Sequence, residues 1–227
     1  MISVAIDGPS GSGKSTISKI LAKKLGFLTL DTGALYRAAA YYFLNNNIDC
    51  KIKDKVVNNS KNINISVNHD KNGQLIYLNG KNVTNFIRTP EVSSAASDIS
   101  AIPEVREFLV NIQRDFAKKH NVVMDGRDIG TVILPNADVK FFLTASPNAR
   151  AKRRYNQLME KNSSKKIKLE EIMDSMNTRD FNDSNRKISP LTADKDAIII
   201  DNSLLNLEET VDAFLNAIKE RVNIETK

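Results

Sequence analysis

Residues Gly8-Pro9-Ser10-Gly11-Ser12-Gly13-Lys14-Ser15 match the pattern G-x-x-x-x-G-K-[ST], and what stands on either side leaves them few ways to fold. An apolar run, Ile2 to Ile6, precedes the pattern, and an amphipathic segment, Ser15 to Leu25, follows it. Strand, glycine-rich loop and helix form the setting in which backbone N–H groups turn inward around phosphate oxygens. The positive end of the following helix faces the same anion. Gly8 through Thr16 are therefore the expected triphosphate-binding residues. Lys14 would reach the outer phosphates and the Ser15 hydroxyl would hold Mg²⁺.

The rest of the chain bounds the reading. At 227 residues it suits one large domain, or a core with insertions, and can bury a sizeable core. Hydrophobic content of 41% and charged content of 26% are those of an ordinary soluble protein. No apolar run reaches the roughly 18 residues that a bilayer span needs. The first residues lack a secretory pattern, and Cys50, the single cysteine, can form no internal disulfide. A cytoplasmic location is expected.

The net charge of +6 is concentrated. Between Asn148 and Lys168 stand eight basic residues and one acid, Glu160, more than the whole surplus. Such a stretch can be a solvated face or a nucleic-acid patch. It holds one aromatic, Tyr155, and no stacking pattern, which argues against nucleic acid. A basic arm closing over a polyphosphate fits better beside a phosphate loop.

Five short apolar runs each end on a polar or acidic residue: Ile2–Ile6 on Asp7, Phe27–Leu30 on Asp31, Val122–Met124 on Asp125, Lys140–Leu143 on Thr144, Ala197–Ile200 on Asp201. Continuous runs of this length, separated by helical patterns, predict buried parallel strands. The expected fold is α/β, a five-stranded parallel sheet with helices on both faces and ligands at the carboxyl ends of its strands. Two interruptions break the alternation. In residues 34–120, Ile63, Ile65 and Val67 alternate and turns are expected at Asn72-Gly73 and Asn79-Gly80, a small antiparallel meander. Helices are expected from Thr89-Pro90-Glu91 and over Pro103–Lys119. The second interruption is residues 147–189. Residues 1–33, 121–146 and 190–227 remain as the core.

Arg150, Arg153 and Arg154 fall within one stripe of a helix beginning at Ser146-Pro147. Arg179, Asp183 and Arg186 are spaced i, i+4, i+7, again one helix face. Two arginine rows flanking a Ser- and Lys-rich tip, Asn162 to Lys168, have the form of a hinged hairpin. Guanidinium suits such a hairpin because its planar fork binds phosphate oxygens bidentately. Asp31 and Asp125 end strands beside the loop. Each could cap the loop that follows, or one of them could bind Mg²⁺, directly or through water.

Over nearly its whole length the sequence resembles the bacterial cytidylate kinases, a branch of the nucleoside monophosphate kinases. The resemblance rests on GPSGSGKST, LDTGALYR, FIRTPEV, AASDISAIPEVR, MDGRDIGTV, FFLTAS and RDFNDSNRKISPL, in order and spacing. It implies transfer of a phosphoryl group from Mg-ATP to CMP or dCMP by a monomer with no nucleic-acid or membrane partner. It implies a monophosphate-binding region over 34–120 and a lid over 147–189. Thr32, Arg37, Arg88, Ser97, Arg106, Arg127, Asp128, Arg179, Asp183 and Arg186 would surround the monophosphate. Arg37, Arg106 and Arg127 would clamp its phosphate, Ser97 and Asp128 would read the base, and Asp183 would meet the ribose. Lys14, Arg127, Arg179 and Arg186 would serve the transfer itself, and Arg150, Arg153 and Arg154 the lid over ATP. Thr32 stands where serine is frequent in the family, and Phe181, Asn182 and Ser184 where charged residues are frequent. Adenylate and shikimate kinases share the loop but are not expected to combine DTGALYR with GRDIGT. A nucleotide switch would need a guanine-reading N-K-x-D, which the chain lacks.

Overall fold

The structure is a computed structural model that describes residues 1–71, 73–161 and 168–223. Asn72 of one expected turn and residues 162–167 of the expected basic tip lie outside the described residues.

Each of the five apolar runs is a strand: β1 (Ser3–Asp7), β2 (Leu28–Asp31), β6 (Val122–Gly126), β7 (Val139–Thr144) and β8 (Ile198–Asp201). They form one parallel sheet in the order β2-β6-β1-β7-β8. Because side chains alternate across a strand, the sheet feeds two cores. Val4, Ile6, Phe141 and Leu143 pack with Ile17 and Leu21 of α1 (Lys14–Leu25) and Phe214 and Ile218 of α8 (Leu207–Arg221). The Phe141 and Phe214 rings lie 4.3 Å apart. Ala5, Leu30, Val122 and Met124 face the opposite way, against Val110 of α5 (Pro103–Lys119) and a π-helical turn at Ile129–Ile133. Burial on both faces is why these strands read as unbroken apolar runs. The parallel register sets Asp31 beside Asp125 and Asp7 beside Gly126, so the acidic strand ends share one edge of the sheet.

The first interruption opens with α2 (Thr32–Asn45), whose N-cap is Asp31, and α3 (Lys53–Ser60), which forms inside the Asn-rich stretch. Its meander is β3 (Ile65–Asp70), β4 (Gly73–Leu78) and β5 (Lys81–Asn82), all antiparallel. Ile63, expected within the alternation, lies before the strand but is buried in the same cluster as Ile65 and Ile76. The meander docks through a cross-strand pair. His69 Nε2 lies 2.8 Å from the Thr29 carbonyl, and Gln74 Oε1 accepts the Asp31 N–H at 2.7 Å. The two side chains satisfy the outer edge of β2 where no further strand does. The helix α4 (Pro90–Ile99) begins at the expected Thr89 cap, whose hydroxyl accepts from the Val92 N–H, and α5 spans the expected residues.

The second interruption is a helical pair, α6 (Pro147–Lys161) and α7 (Leu169–Asn185). Ala151 of α6 packs on Ile172 and Met176 of α7. Among the described residues no helix is long and apolar enough to cross a membrane.

Candidate active site

The phosphate loop is held tightly against its surroundings. Gly8, at φ 147°, lies so close to β7 that an added Cβ would overlap the Leu143 carbonyl oxygen. A Cβ on Gly11, at φ 74°, would meet the end of Met176 on α7. Glycine at these two places lets the backbone turn its N–H groups inward and lets α6 and α7 approach. Lys14 is buried and donates to the Gly8 and Pro9 carbonyls, each at 2.8 Å. Burial and the neighbouring Arg127 cation hold its ammonium pKa well below the usual lysine range.

At the base of the loop Ser15 Oγ donates to Asp125 Oδ2 at 2.8 Å. Burial, with Asp31 nearby, pushes the Asp125 carboxyl up to about 6. Asp31 is engaged otherwise. It caps α2 through the Ala34 N–H at 3.1 Å and pairs with Arg37 at 2.8 Å and Arg88 at 3.2 Å. Burial opposes ionisation there, but those two guanidinium groups hold the carboxyl below its usual range. Thr32 sends its hydroxyl to the Asp125 carbonyl at 2.9 Å, tying the start of α2 to the end of β6. A cavity of about 30 Å³, room for one small species, lies among Ser15, Lys19, Asp31, Gln74, Arg88 and Asp125.

The GRDIG turn after β6 supplies the centre of the site. Arg127 Nε pairs with Asp183 of α7 at 2.8 Å. Burial opposes the charge, but Asp183, with Asp180 and Asp125, raises the Arg127 pKa. Asp128, almost fully buried, pairs with Arg106 of α5, and Arg186 Nη2 stands 3.7 Å from its other oxygen. Arg106 also donates to the Ser100 carbonyl and lies over the Tyr36 ring. Expected as a phosphate clamp, Arg106 instead joins the carboxylate expected to read the base. Arg186 lies one residue beyond α7 in extended backbone, not on the helix face that the spacing predicted. There its Nε donates to the Ser189 carbonyl, and its Nη1 stays 3.9 Å from Asp183. Ser97, Ser100, Asp183 and Arg186 line a cleft of about 380 Å³, with Cys50 and Lys53 on its rim.

Cations outnumber their partners in this cluster. Burial, then Arg127, lower the Arg179 pKa to about 10, and burial, then Arg106, lower that of Arg186. Arg37 Nε, Arg179 Nε, Arg186 Nη2 and the Tyr36 hydroxyl are buried without a hydrogen-bond partner. Buried donors this short of acceptors form a preorganised anion site.

The lid arginines share one side of α6 but diverge. Arg150 pairs with Asp180 of α7 and donates to the Ser10 carbonyl at 2.8 Å. Arg153 grips Asn202, whose amide donates to the Ser12 carbonyl at 3.1 Å. Arg154, half-buried, is lowered in pKa by burial and then by the nearby cations Arg37 and Arg88. Asp180, Asn202 and Asp7 were not anticipated. The repeated Arg-Asp pairs at 127–128 and 179–180 were the available signal for Asp180.

A phosphate loop at the carboxyl edge of a parallel sheet, facing a buried arginine cluster, defines a nucleotide-dependent phosphotransferase of the phosphate-loop kinase class. The family profile described as cytidylate kinase matches residues 4–220. A cytidylate kinase of Caldicellulosiruptor saccharolyticus is 48% identical over 214 residues, covering 94% of each chain. One of Clostridium botulinum is 47% identical over 220 residues, covering 96% of this chain and 98% of the relative. The chain belongs to the cytidylate kinase family. A solved structure of an uncharacterised Eubacterium ventriosum protein aligns over 97% of this chain and all of its own, with TM-score 0.55 at 15% identity, a likeness of fold.

Proposed function

We propose that the chain transfers the γ-phosphoryl group of Mg-ATP to CMP or dCMP, giving ADP and CDP or dCDP. The observation that carries this reading is the pairing of Asp128 with Arg106 beside a phosphate loop and an under-neutralised arginine cluster. Carboxylate and guanidinium side by side offer an acceptor and a donor. Cytosine has a donor amino group at position 4 and acceptors beside it, whereas uracil presents an oxygen at position 4. A buried polar site meeting the wrong partner discriminates strongly.

The geometry supports the following division of labour. Loop N–H groups and Lys14 hold the donor phosphates. Ser15 Oγ and Asp125, hard oxygen groups that hydrogen-bond to each other, would hold Mg²⁺, Asp125 directly or through water. When bound, Mg²⁺ spreads charge on the donor phosphates. Arg37, Arg88 and Arg154 grip the acceptor phosphate, Asp183 meets the ribose, and Ser97, Arg106 and Asp128 read the base. Arg127, Arg179 and Arg186 neutralise the group in flight. The acceptor's phosphate oxygen is already anionic, so its lone pair forms the new P–O bond without a general base. The bond from the γ-phosphorus to the bridging oxygen breaks, and ADP carries the electrons away. The helices α6 and α7 act as the lid, residues 34–120 as the monophosphate-binding region, and the enzyme works as a cytoplasmic monomer on small nucleotides.

The test is ADP release from Mg-ATP with CMP, dCMP, UMP, AMP or shikimate at equal concentration. Strong turnover with CMP and dCMP alone is expected. Equal turnover with UMP would overturn the base-reading assignment, and turnover with AMP or shikimate alone the acceptor itself.

A further inference from the structure

Asp7 is the last residue of β1 and immediately precedes the phosphate loop, yet its hydrogen bonds go to a different segment. It is buried, and its two oxygens accept the backbone N–H groups of Ile129 and Gly130, each at 2.8 Å. Lys14 makes its hydrogen bonds within its own loop, and Asp7 acts on it only by charge attraction. The two N–H groups belong to the residues directly after Asp128. They open the π-helical turn Ile129–Ile133, whose internal bonds begin only with Val132 and Ile133 donating to the Asp128 carbonyl. The first N–H groups of any helical turn lack internal partners, and single π turns are uncommon and concentrate at functional sites.

We propose that Asp7 is a positioning residue for acceptor recognition: it caps this turn from across the sheet and so fixes where Asp128 stands relative to the phosphate loop. The proposal rests on the assignment of Asp128 to the acceptor base. Three features support a role beyond general stability. The capped groups adjoin Asp128, whose backbone is itself irregular at φ −145°, ψ 29°. Asp7 is bonded covalently to Gly8, so one residue links the donor loop to the acceptor-reading turn. The turn also has little room, since a Cβ on Gly130 would come within 3.2 Å of Lys140 Cδ and 3.5 Å of Asp7 Oδ2. A supporting residue of this kind controls geometry that transfer requires to within a fraction of an ångström.

Asp7→Asn keeps the shape and one acceptor oxygen but points an amide N–H₂ at the second backbone donor. The measurements are KM for CMP, the ratio of kcat/KM for CMP over UMP, the Kd of a fluorescent ATP analogue without acceptor, and the thermal midpoint. With wild type active on CMP, Asp7→Asn should raise KM for CMP about tenfold or more and narrow the CMP-over-UMP ratio by a similar factor, while ATP-analogue affinity stays within about twofold. Gly130→Ala, which crowds the same turn without removing a buried charge, should show a weaker version of the same acceptor-selective pattern, and it decides the matter if Asp7→Asn does not fold. Unchanged CMP parameters with a lower thermal midpoint would reduce Asp7 to a structural cap and overturn the proposal. Equal losses toward ATP and CMP would overturn it by placing the effect in the phosphate loop. A wild type inert toward CMP but active on another acceptor would sink the cytidylate reading, and this proposal with it.

Discussion

Asp180 of α7 accepts the backbone N–H of Ser10 in the phosphate loop at 2.8 Å, across 170 positions of sequence. Its other oxygen holds Arg150, which itself donates to the Ser10 carbonyl. Ser10 is thus gripped on both its donor and its acceptor, and both α6 and α7 are fastened to the loop. Asp180 also lies close enough to Lys14, Arg127 and Arg179 to favour their charged forms. A carboxylate there steadies the cations until a phosphate arrives. Asp180→Ala should lower kcat about tenfold and raise the proportion of ATP lost to hydrolysis, because a loosened lid admits water. Parallel assays of ADP and CDP production would check it, and an unchanged hydrolysis fraction would count against the clasp.

The two strand-end aspartates make opposite predictions. Asp125 faces Ser15, whereas Asp31 is committed to Arg37, Arg88 and the cap of α2. Asp125→Asn should raise the Mg²⁺ concentration needed for half-maximal activity by about tenfold or more, as loss of an outer metal contact does. Asp31→Asn should leave Mg²⁺ dependence alone and raise KM for CMP, since two arginines lose the carboxylate that aims them. Titrating Mg²⁺ at fixed ATP separates the two. A shared Mg²⁺ phenotype would mean that both carboxylates serve the cation.

These distinctions were only partly legible in the sequence. The five strands were, because parallel strands covered on both faces become continuous apolar runs, each closed here by a polar residue at the ligand edge. The α4 and α5 starts were legible because Thr89-Pro90 and Pro103 carry local capping chemistry. The destinations of long side chains were not. Arg150, Arg153 and Arg154 lie in one helical stripe, but Arg150 meets Asp180, Arg153 meets Asn202, and Arg154 lies near the like charges Arg37 and Arg88. Periodicity places a Cα on a face, and only tertiary packing decides what a flexible cation meets. Arg186 left its predicted helix face because the chain turns extended after Asn185. The roles of Asp7 and Asp180 were not legible because the backbone N–H groups they accept, those of Ile129, Gly130 and Ser10, lie more than a hundred residues away.

Base discrimination should reside in Asp128. Asp128→Asn replaces a pure acceptor by a side chain that also donates, and it leaves Arg106 and Arg186 facing each other without their shared carboxylate. We expect kcat/KM for CMP to fall by about two to three orders of magnitude while that for UMP changes little, so that the preference collapses. Steady-state kinetics on both acceptors measures this directly. A proportionate fall for both would assign Asp128 to scaffolding alone.

The acidic limb of the pH profile offers the last test. Burial pushes the Asp7 carboxyl from 3.8 up to about 6, against the two N–H bonds that favour its anion. Because the folded value is raised, the folded chain binds more protons than the unfolded chain between those limits. The contribution of Asp7 to stability therefore falls as pH rises from 3.8 to about 6, and is level above. Acceptor binding should run the other way, since only the anion accepts both N–H groups. At saturating Mg-ATP, kcat/KM for CMP should rise with pH through about 6. The second ionisation of a phosphate monoester also falls near about pH 6, so the informative quantity is the ratio of wild type to Asp7→Asn. That ratio should climb through the window for kcat/KM and decline for the wild-type thermal midpoint relative to the variant. A flat kcat/KM ratio would show that the charge on Asp7 does not govern the turn.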